Sequence, residues 1–396
     1  MSSTASAKPS AAPVITSAVE NPELKSGGLE GLVAGKTVIA SVLQDKLIYR
    51  GYTIEDLADH ATFEEVAFLL LVGHKASAGE LAAFKKELVA ERGLPPVVIE
   101  VIQKTAKLPN AVPMDILRTA VSVLGHVDPD CQDCSAAANL RKAKRLTAKI
   151  PTIIGHMQNV IDGRALVAPD NSLDHAANLY WMMTGTKPSA EFARVLDVSL
   201  ILYAEHDFNA STFTGRVIAA TMSDMHGAVT GAIAALKGPL HGGANEMAME
   251  MLKEIRAHTE KGGTIAAFMQ NAFETKRKLM GFGHRVYKQG DHRAPILHAL
   301  GRKLAQNKGA DALKWFEIGE EVQKIMLDQK KIWPNVDFPC GLTYFVMGIP
   351  VPQYTPIFVA SRITGWAAHI MEQHANNRLI RPVAEYVGPG IRDWQG

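Results

Sequence analysis

Pro239-Leu240-His241-Gly242-Gly243-Ala244-Asn245-Glu246 places a histidine between small residues, and two further segments of the chain repeat this feature. These segments are Ala204-Glu205-His206-Asp207-Phe208-Asn209 and Gly281-Phe282-Gly283-His284-Arg285-Val286-Tyr287. A single acid follows in Val336-Asp337-Phe338, and arginines are scattered around the set. Histidine exchanges protons near neutral pH, and glycine lets the backbone and a substrate approach a side chain closely. The pattern therefore indicates acid–base chemistry on an anionic substrate.

The composition is that of an ordinary soluble protein that is long enough to bury a large core. Of 396 residues, 47% are hydrophobic and 21% are charged, and the formal net charge is +2. A nucleic-acid-binding protein normally has a strong basic excess, so we expect no nucleic-acid partner. The longest apolar run, Val66 to Val72, is far shorter than the roughly 20 residues of a membrane-spanning helix. We therefore expect no membrane association.

The N-terminal residues and the cysteines favour a cytoplasmic protein. Residues 1–26 begin with a Ser/Ala/Pro-rich stretch that has no signal-peptide core, and we expect them to form a disordered tail. Three cysteines are too few for a disulfide framework and indicate a reducing compartment. Cys131 and Cys134 have metal-ligand spacing, with His126 nearby, but no second pair follows. A solvated loop is the favoured interpretation, and no metal site is expected.

Helix signals run through almost the whole chain. Thr62 to Glu65 and Ser77 to Glu80 match capping boxes, Ser172 is placed to cap a helix ending before Gly185, and Ser189 is placed to cap the next. Strands are predicted only at Thr37-Val38-Ile39-Ala40 and Lys46-Leu47-Ile48-Tyr49. The segment Gly215 to Leu236 is rich in glycine and alanine, which predicts one closely packed helix at the centre or at a subunit interface. The fold class is mainly α.

The ordered motifs resemble those of the citrate synthase family. The two histidine–glycine segments around His241 and His284 resemble its first two catalytic motifs, and Val336-Asp337-Phe338 resembles the third. The remaining similar segments are Leu47-Ile48-Tyr49-Arg50-Gly51-Tyr52, Pro113-Met114-Asp115, Asp291-His292-Arg293-Ala294, Pro356-Ile357-Phe358, Arg362-Ile363-Thr364-Gly365-Trp366 and Asn377-Arg378-Leu379-Ile380-Arg381-Pro382. The resemblance covers residues 28 to 388, which is nearly the whole chain.

This resemblance implies a helical protein of two domains that condenses an acyl-CoA with a 2-oxo acid. Residues 27–243 and 350–396 would form a large domain, and residues 244–349 a smaller domain that closes over the substrates. Acetyl-CoA and oxaloacetate are the implied substrates, citrate and CoA the products. The CoA thioester is a substrate, so no cofactor and no metal are implied.

The family pattern also assigns roles to individual residues. Asp337 would be the general base, His241 would donate a hydrogen bond to the thioester oxygen, and His284 would polarise the acceptor carbonyl. The implied oxaloacetate-binding residues are His206, Arg293, Arg362 and Arg381. Arg381 would reach the site of a neighbouring subunit, which requires at least a homodimer. Arg285 would orient its loop or approach the CoA phosphates.

Four alternatives stay open at this stage. Asp337 could instead cap the helix that contains Pro339, and Arg362 or Arg381 could form surface ion pairs. A 2-methylcitrate synthase, which uses propionyl-CoA, shares every one of these motifs, and one methylene is worth only about 1–3 kcal/mol of discrimination. A non-catalytic binding or scaffold protein of the same fold would be expected to lack a catalytic group, yet His241, His284 and Asp337 are all present.

Overall fold

The computed structural model describes Leu29 and residues 32–43, 46–284 and 286–394. These residues form sixteen α-helices, one 3-10 helix at Val351–Gln353 and three short strands, which confirms the mainly α class. The strands are β1 (Ala40–Val42), β2 (Leu47–Tyr49) and β3 (Tyr52–Thr53). The helices are α1 (Ile54–His60), α2 (Phe63–Val72), α3 (Ala78–Ala90), α4 (Pro96–Thr105), α5 (Pro113–Val127), α6 (Ala136–Ile161), α7 (His175–Thr184), α8 (Ala190–Tyr203), α9 (Ala210–Ala219), α10 (Met225–Lys237), α11 (Ala244–Glu260), α12 (Ile265–Glu274), α13 (Arg293–Lys308), α14 (Ala310–Lys330), α15 (Asp337–Val346) and α16 (Tyr354–Ala375).

The sheet is antiparallel in the order β1-β2-β3, with Ala40 opposite Tyr49 and Ile48 opposite Thr53. The first strand begins three residues later than predicted. Its predicted start is held elsewhere, because the Thr37 hydroxyl and the Val38 amide both donate to Glu372 of α16. A two-residue strand such as β3 lacks the alternation of apolar and polar residues by which strands are recognised in a sequence.

The predicted helix starts are confirmed except for one. Thr62 and Ser77 form complete capping boxes at α2 and α3, and the Ser189 side chain accepts the amide of Phe192 in α8. The prediction for Ser172 is wrong, because α7 begins after Asp174 and the Ser172 hydroxyl donates to Asp170 instead.

The small-residue segment 215–236 is not one helix but parts of two. Helices α9 and α10 are separated by a turn in which Met222 has a φ of 64° and Asp224 caps α10 by accepting the Gly227 amide. The two helices do pack closely, since a Cβ at Gly231 would lie 2.3 Å from Cδ1 of Ile218. The prediction of close packing is therefore confirmed, and that of a single helix is wrong because a capped turn interrupts it.

Helix α16 lies in the interior, with every residue from Tyr354 to Ile370 buried. The described residues between 37 and 380 form one compact unit, and the described residues before 37 and after 380 are grouped as another. The division into a large and a small domain stays a prediction, and the expected tail at 1–26 lies outside the described residues. Within the described part of the chain, no helix is both long enough and apolar enough to cross a membrane.

Candidate active site

His241 lies in a tight turn between α10 and α11. The His241 amide donates to the Gly238 carbonyl, and the Gly242 amide donates to the Leu236 carbonyl over 2.9 Å. A Cβ at Gly242 would lie 2.4 Å from that same Leu236 oxygen, so the turn requires glycine at this position. Gly242 beside the histidine therefore serves close backbone approach, as the sequence indicated, whereas a Cβ at Gly243 would meet nothing within 4 Å.

The tautomer of His241 is fixed by Ser211 at the start of α9. The Ser211 amide donates to Nε2 of His241 over 3.2 Å, and the Ser211 hydroxyl lies 2.8 Å from the same nitrogen. Because Nε2 accepts, the proton is on Nδ1, which is left as a donor. Burial, and then the charge of Arg362, lower the pKa of His241 to about 4, so the ring is neutral at neutral pH.

The segment that carries His284 is paired with the segment that leads into α15. The Gly283 amide donates to the Trp333 carbonyl over 2.8 Å, and the Asn335 amide donates to the Gly281 carbonyl over 2.9 Å. Gly281 has a φ of 84°, and a Cβ there would lie 2.9 Å from Cβ of Phe338. This pairing brings the loop of His284 next to that of Asp337, although 52 residues separate Gly283 from Asn335 in the chain.

His284 is also held as a neutral donor, but through its other nitrogen. Its Nδ1 accepts the amides of Val286 and Tyr287 over 3.1 and 3.2 Å. The proton is therefore on Nε2. Burial, followed by the charge of Arg293, lowers the pKa of His284 to about 4. The ring stacks on Tyr287 at a centroid distance of 4.5 Å.

Asp337 is the first residue of α15, and its carboxylate points away from its own helix. Oδ1 accepts the hydroxyl of Tyr203 over 2.7 Å, and among the described residues this is the carboxylate's one hydrogen bond. The capping alternative for Asp337 is therefore wrong. Burial raises the pKa of Asp337 to about 6, while the Tyr203 hydrogen bond and the charge of Arg293 lower it. A carboxylate of this kind is a stronger base than an exposed one and is still ionised at neutral pH.

Two buried guanidinium groups lie at the site, and they differ in whether a carboxylate pairs with them. Arg293 is paired with Asp291 through Nε and Nη2, at 2.9 and 2.8 Å. Burial alone would raise the pKa of Asp291, but the charge and hydrogen bonds of Arg293 outweigh it and hold that pKa below its ordinary value. Arg362 is only 1% exposed, and no carboxylate in the described part of the chain lies within ion-pair distance of it. The alternative of a surface ion pair for Arg362 is therefore wrong.

The segment before α9 adds His206 to this group. The hydroxyl of Tyr49 in β2 donates to the Glu205 carbonyl over 2.8 Å and accepts the Glu205 amide, which fixes the backbone beside His206. The His206 ring lies 5.0 Å from the ring of His284, and its buried Nε2 has no hydrogen-bond partner. Burial, then the charges of Arg293, His284 and Arg362, keep the pKa of His206 well below its ordinary value.

The structure thus brings together most of the residues that the sequence singled out. His206, His241, His284, Arg293, Asp337 and Arg362 are linked through shared contacts or through the charges of the two arginines. Arg381 belongs to the other compact unit and is exposed there, so its role stays a prediction. Arg285 lies outside the described residues, and its role stays a prediction too.

Sequence reasoning missed several residues that complete the site. Tyr203, Ser211 and Asp291 hold the groups described above, and nothing in their sequence context distinguishes Tyr203 or Ser211 from ordinary core residues. A cavity of about 250 Å³ lies beside His284, and its lining includes Lys288, Lys331 and Trp333. Two lysines next to a tryptophan can hold a phosphate and a ring. The sequence does not reveal this group, because Lys288 comes from a loop and Lys331 from the end of α14.

Comparisons with known proteins establish the family of this chain. A family model described as the citrate synthase C-terminal domain matches residues 28–383. A 2-methylcitrate synthase of Shewanella oneidensis is 43% identical over 93% of this chain and 96% of its own length. Citrate synthase 2 of Bacillus subtilis is 43% identical over 91% of this chain and 95% of its own length.

A solved structure extends the agreement to the fold. It is a ternary complex of carboxymethyl coenzyme A and oxaloacetate with citrate synthase from Thermoplasma acidophilum. That protein is 33% identical, its TM-score is 0.86, and the match covers 93% of this chain and 97% of that one. The chain therefore belongs to the citrate synthase family and is a condensing enzyme of that family.

Proposed function

We propose that this enzyme condenses acetyl-CoA with oxaloacetate and water to give citrate and free CoA, with Asp337 as the general base. The observation that carries the proposal is the desolvated Asp337 carboxylate, which has a pKa near 6 and feels the charges of Arg293 and Arg362. The same two arginines act on His284 and His241, which are both neutral at neutral pH. The reaction uses protein side chains alone and needs neither a cofactor nor a metal.

Oxaloacetate binds first to Arg362, Arg293 and His206. A fully buried guanidinium without an ion-paired carboxylate among the described residues is costly. Burial lowers the pKa of Arg362 to about 10, although the charge of Glu205 acts in the opposite direction. A bound carboxylate relieves that cost through two parallel hydrogen bonds. His206 offers its unpartnered Nε2 to the same ligand. Arg293 keeps Asp291 as its partner and contributes its charge.

Asp337 then removes a proton from the methyl group of acetyl-CoA. The methyl group is a very weak carbon acid, so the proton leaves only if the thioester oxygen is stabilised at the same time. Nδ1–H of His241 is the donor for that oxygen, since Ser211 occupies the other nitrogen. A neutral donor suits this step because it stabilises the forming enolate without first transferring its proton.

The enolate carbon attacks the oxaloacetate carbonyl, whose oxygen receives a hydrogen bond and then a proton from Nε2 of His284. The resulting citryl-CoA is hydrolysed by water, which releases citrate and CoA. General acid–base steps contribute about 10²–10⁴-fold each, so precise positioning supplies much of the remaining acceleration. The cavity with Lys288, Lys331 and Trp333 supports binding of part of CoA next to His284. Arg285 is proposed to orient the loop or to approach the CoA phosphates.

Closure of the small domain, residues 244–349, is proposed to complete this site. His284 and Asp337 both belong to that range, whereas His206, His241 and Arg362 lie outside it. The backbone pairing of Gly283 with Trp333 supports movement of His284 and Asp337 as one body. Closure would exclude water while the enolate exists.

A second acyl donor, propionyl-CoA, is favoured by one observation. The Shewanella relative named 2-methylcitrate synthase is as similar to this chain as the Bacillus citrate synthase, at 43% identity each. Equal amounts of the two acyl-CoAs should be offered with limiting oxaloacetate, and the products separated by mass. Citrate in excess supports our proposal, whereas 2-methylcitrate in excess assigns the chain to the alternative with the same residue roles.

We further propose a cytoplasmic homodimer in which Arg381 completes the partner's site. The C-terminal residues exposing Val383, Tyr386, Ile391 and Trp394 support an interface, because large apolar side chains seldom remain in water along one short segment. Inactive Arg381→Ala and His241→Ala proteins should therefore regain activity when mixed and allowed to exchange subunits. Proven exchange without recovery contradicts a shared site. The three free cysteines support a reducing compartment.

A further inference from the structure

Three potential metal ligands meet at a place that shares no residue with the active site. One ligand atom each from Cys131, Asp224 and His226 lies within 4.8 Å of the other two. Cys131 is in the connection between α5 and α6, Asp224 caps α10, and His226 is the second residue of α10. The site therefore joins a loop to the start of a helix that lies about 90 residues further along the chain.

His226 is the residue that points to a ligand. It is 2% exposed, and its Nδ1 has no hydrogen-bond partner. A buried polar atom without a partner is costly, and such atoms are few in natural proteins. This Nδ1 lies 3.8 Å from Oδ1 of Asp224, which is too far for a hydrogen bond but suits two atoms that share a metal ion.

The other nitrogen of His226 is oriented by a second carboxylate. Nε2 lies 3.5 Å from Oδ2 of Asp128, and the Arg145 guanidinium donates to the same carboxylate at 2.6 and 2.8 Å. A carboxylate that accepts from a guanidinium also offers an acceptor to Nε2, so this contact orients Nε2–H towards Asp128 and leaves the lone pair of Nδ1 on the other side of the ring. Histidine ligands of metals have this arrangement, in which the remote N–H points at a carboxylate.

The other two ligands are fixed in place before any ion binds. Nζ of the buried Lys142 donates to the carbonyl oxygens of Cys131 and Asp133, at 3.3 and 2.6 Å, and Nε2 of Gln132 lies 3.8 Å from Sγ of Cys131. Asp224 is held by the Gly227 amide, which donates to Oδ1, and its carboxylate also lies within hydrogen-bond range of the Cys131 side chain. Cys134 is not part of the group, since its Sγ is directed at the Met222 carbonyl at 3.9 Å.

We propose that Cys131, Asp224 and His226 bind one zinc ion that fastens the α5–α6 connection to the start of α10. A set of one sulfur, one nitrogen and one oxygen suits zinc, whereas calcium and magnesium take oxygen ligands. Binding converts the Cys131 thiol to a thiolate and releases one proton to solvent. The thiolate and the Asp224 carboxylate then balance the two charges of the ion, and water completes the tetrahedron.

The sequence alone favoured a solvated loop at Cys131 and Cys134, with no metal site expected. The fold instead brings Asp224 and His226 to Cys131, and Asp128 to the other side of the histidine. Cys131 and Cys134 have metal-ligand spacing, but the partners of Cys131 come from a distant segment.

The test uses the full chain, a phosphine reductant and Zn²⁺ added and then removed by dialysis, with metal content measured by mass spectrometry. The wild type and Cys134→Ser should each retain one zinc per chain, whereas Cys131→Ser should retain none. Cobalt in place of zinc should give a sulfur-to-metal charge-transfer band in the first two proteins and not in the third. Circular dichroism establishes that each variant is folded.

Thermal unfolding gives a second readout. Zinc at 100 times its dissociation constant multiplies the ratio of folded to unfolded protein by about 100, so it should raise the midpoint of the wild type and not of Cys131→Ser. The proposal is overturned if folded wild type retains no zinc, if Cys131→Ser retains as much, or if Cys134→Ser loses as much as Cys131→Ser. Thiol release from acyl-CoA, measured in the same samples, separates failure of this site from failure of the proposed reaction.

Discussion

Replacing Asp337 with asparagine should remove activity and, at pH 8, stabilise the protein. The carboxylate lies in a buried position, where Tyr203 is its hydrogen-bond donor, and burial is the main reason for its raised pKa. At pH 8 the folded protein holds a charge that the unfolded chain solvates better. Asparagine has almost the same shape and still accepts from Tyr203, but it never carries that charge.

The magnitude follows from the pKa in the two states. A carboxyl that changes from its ordinary 3.8 to about 6 on folding changes the free energy of unfolding by about 3 kcal/mol, at about 1.4 kcal/mol per pH unit. The figure is an upper bound because Asp337 as a whole residue keeps some solvent exposure, although its carboxyl group is desolvated. Because the folded pKa is the higher one, the contribution is favourable below pH 3.8 and is lost as the pH rises to 6. About 1 kcal/mol of it is lost between pH 5 and 6, because pH 6 is the midpoint of the titration in the folded state.

The assay is urea unfolding of wild type and Asp337→Asn at several pH values and one protein concentration. The stability of the variant relative to the wild type should rise from pH 5 to pH 6.5 and then stay constant. Asp291→Asn is the matched control with the opposite sign, because its pKa is lowered by Arg293 and its contribution is lost as the pH falls. If the difference in the free energy of unfolding between wild type and Asp337→Asn does not change with pH, the carboxylate of raised pKa on which the mechanism depends is refuted.

Three further predictions concern the same site. The value of kcat should rise with pH through about 6 as Asp337 loses its proton. Tyr203→Phe should move this rise to higher pH, because the Tyr203 hydrogen bond lowers the pKa of Asp337. A pH–rate profile with no ionisation near 6 contradicts this prediction. His284→Gln should keep more activity than His284→Asn, and His241→Asn more than His241→Gln, because the donors are Nε2 and Nδ1 respectively. Removing either donor entirely should lower kcat about 10²–10³-fold in thiol-release assays, and the opposite order would mean that the tautomers are wrong. Arg362→Lys should raise the KM for oxaloacetate about 10–100-fold, since two charge-assisted hydrogen bonds become one; an unchanged KM excludes Arg362 as a substrate ligand.

Local signals in the sequence were sufficient for most of the fold. Capping boxes at Thr62 and Ser77 act within one helical turn, so the sequence alone predicts them. The first strand was misplaced because Glu372, more than 300 residues away, takes the hydrogen-bonding groups of Thr37 and Val38. No local pattern carries that information.

In the active site, too, the sequence predicts the residues in local motifs and not those that depend on distant contacts. His241, His284 and Asp337 were predicted because ordered motifs surround them, and Gly242 and Gly281 have the close backbone contacts that their motifs indicated. The residues that fix the tautomers and tune the base could not be predicted. The Ser211 amide donates to His241 across 30 residues, and Tyr203 meets Asp337 across 134. Such contacts depend on how helices pack, which a single sequence does not reveal.

The most direct test of the mechanism is thiol release from acetyl-CoA in the presence of oxaloacetate, with oxaloacetate binding measured by calorimetry in the same proteins. Wild type should release CoA only when oxaloacetate is present. Asp337→Asn should bind oxaloacetate as the wild type does and release thiol at least about 10²-fold more slowly, which is the loss expected for a general base. Turnover near the wild-type rate in Asp337→Asn would contradict the account, because the proton would then be leaving to some other group.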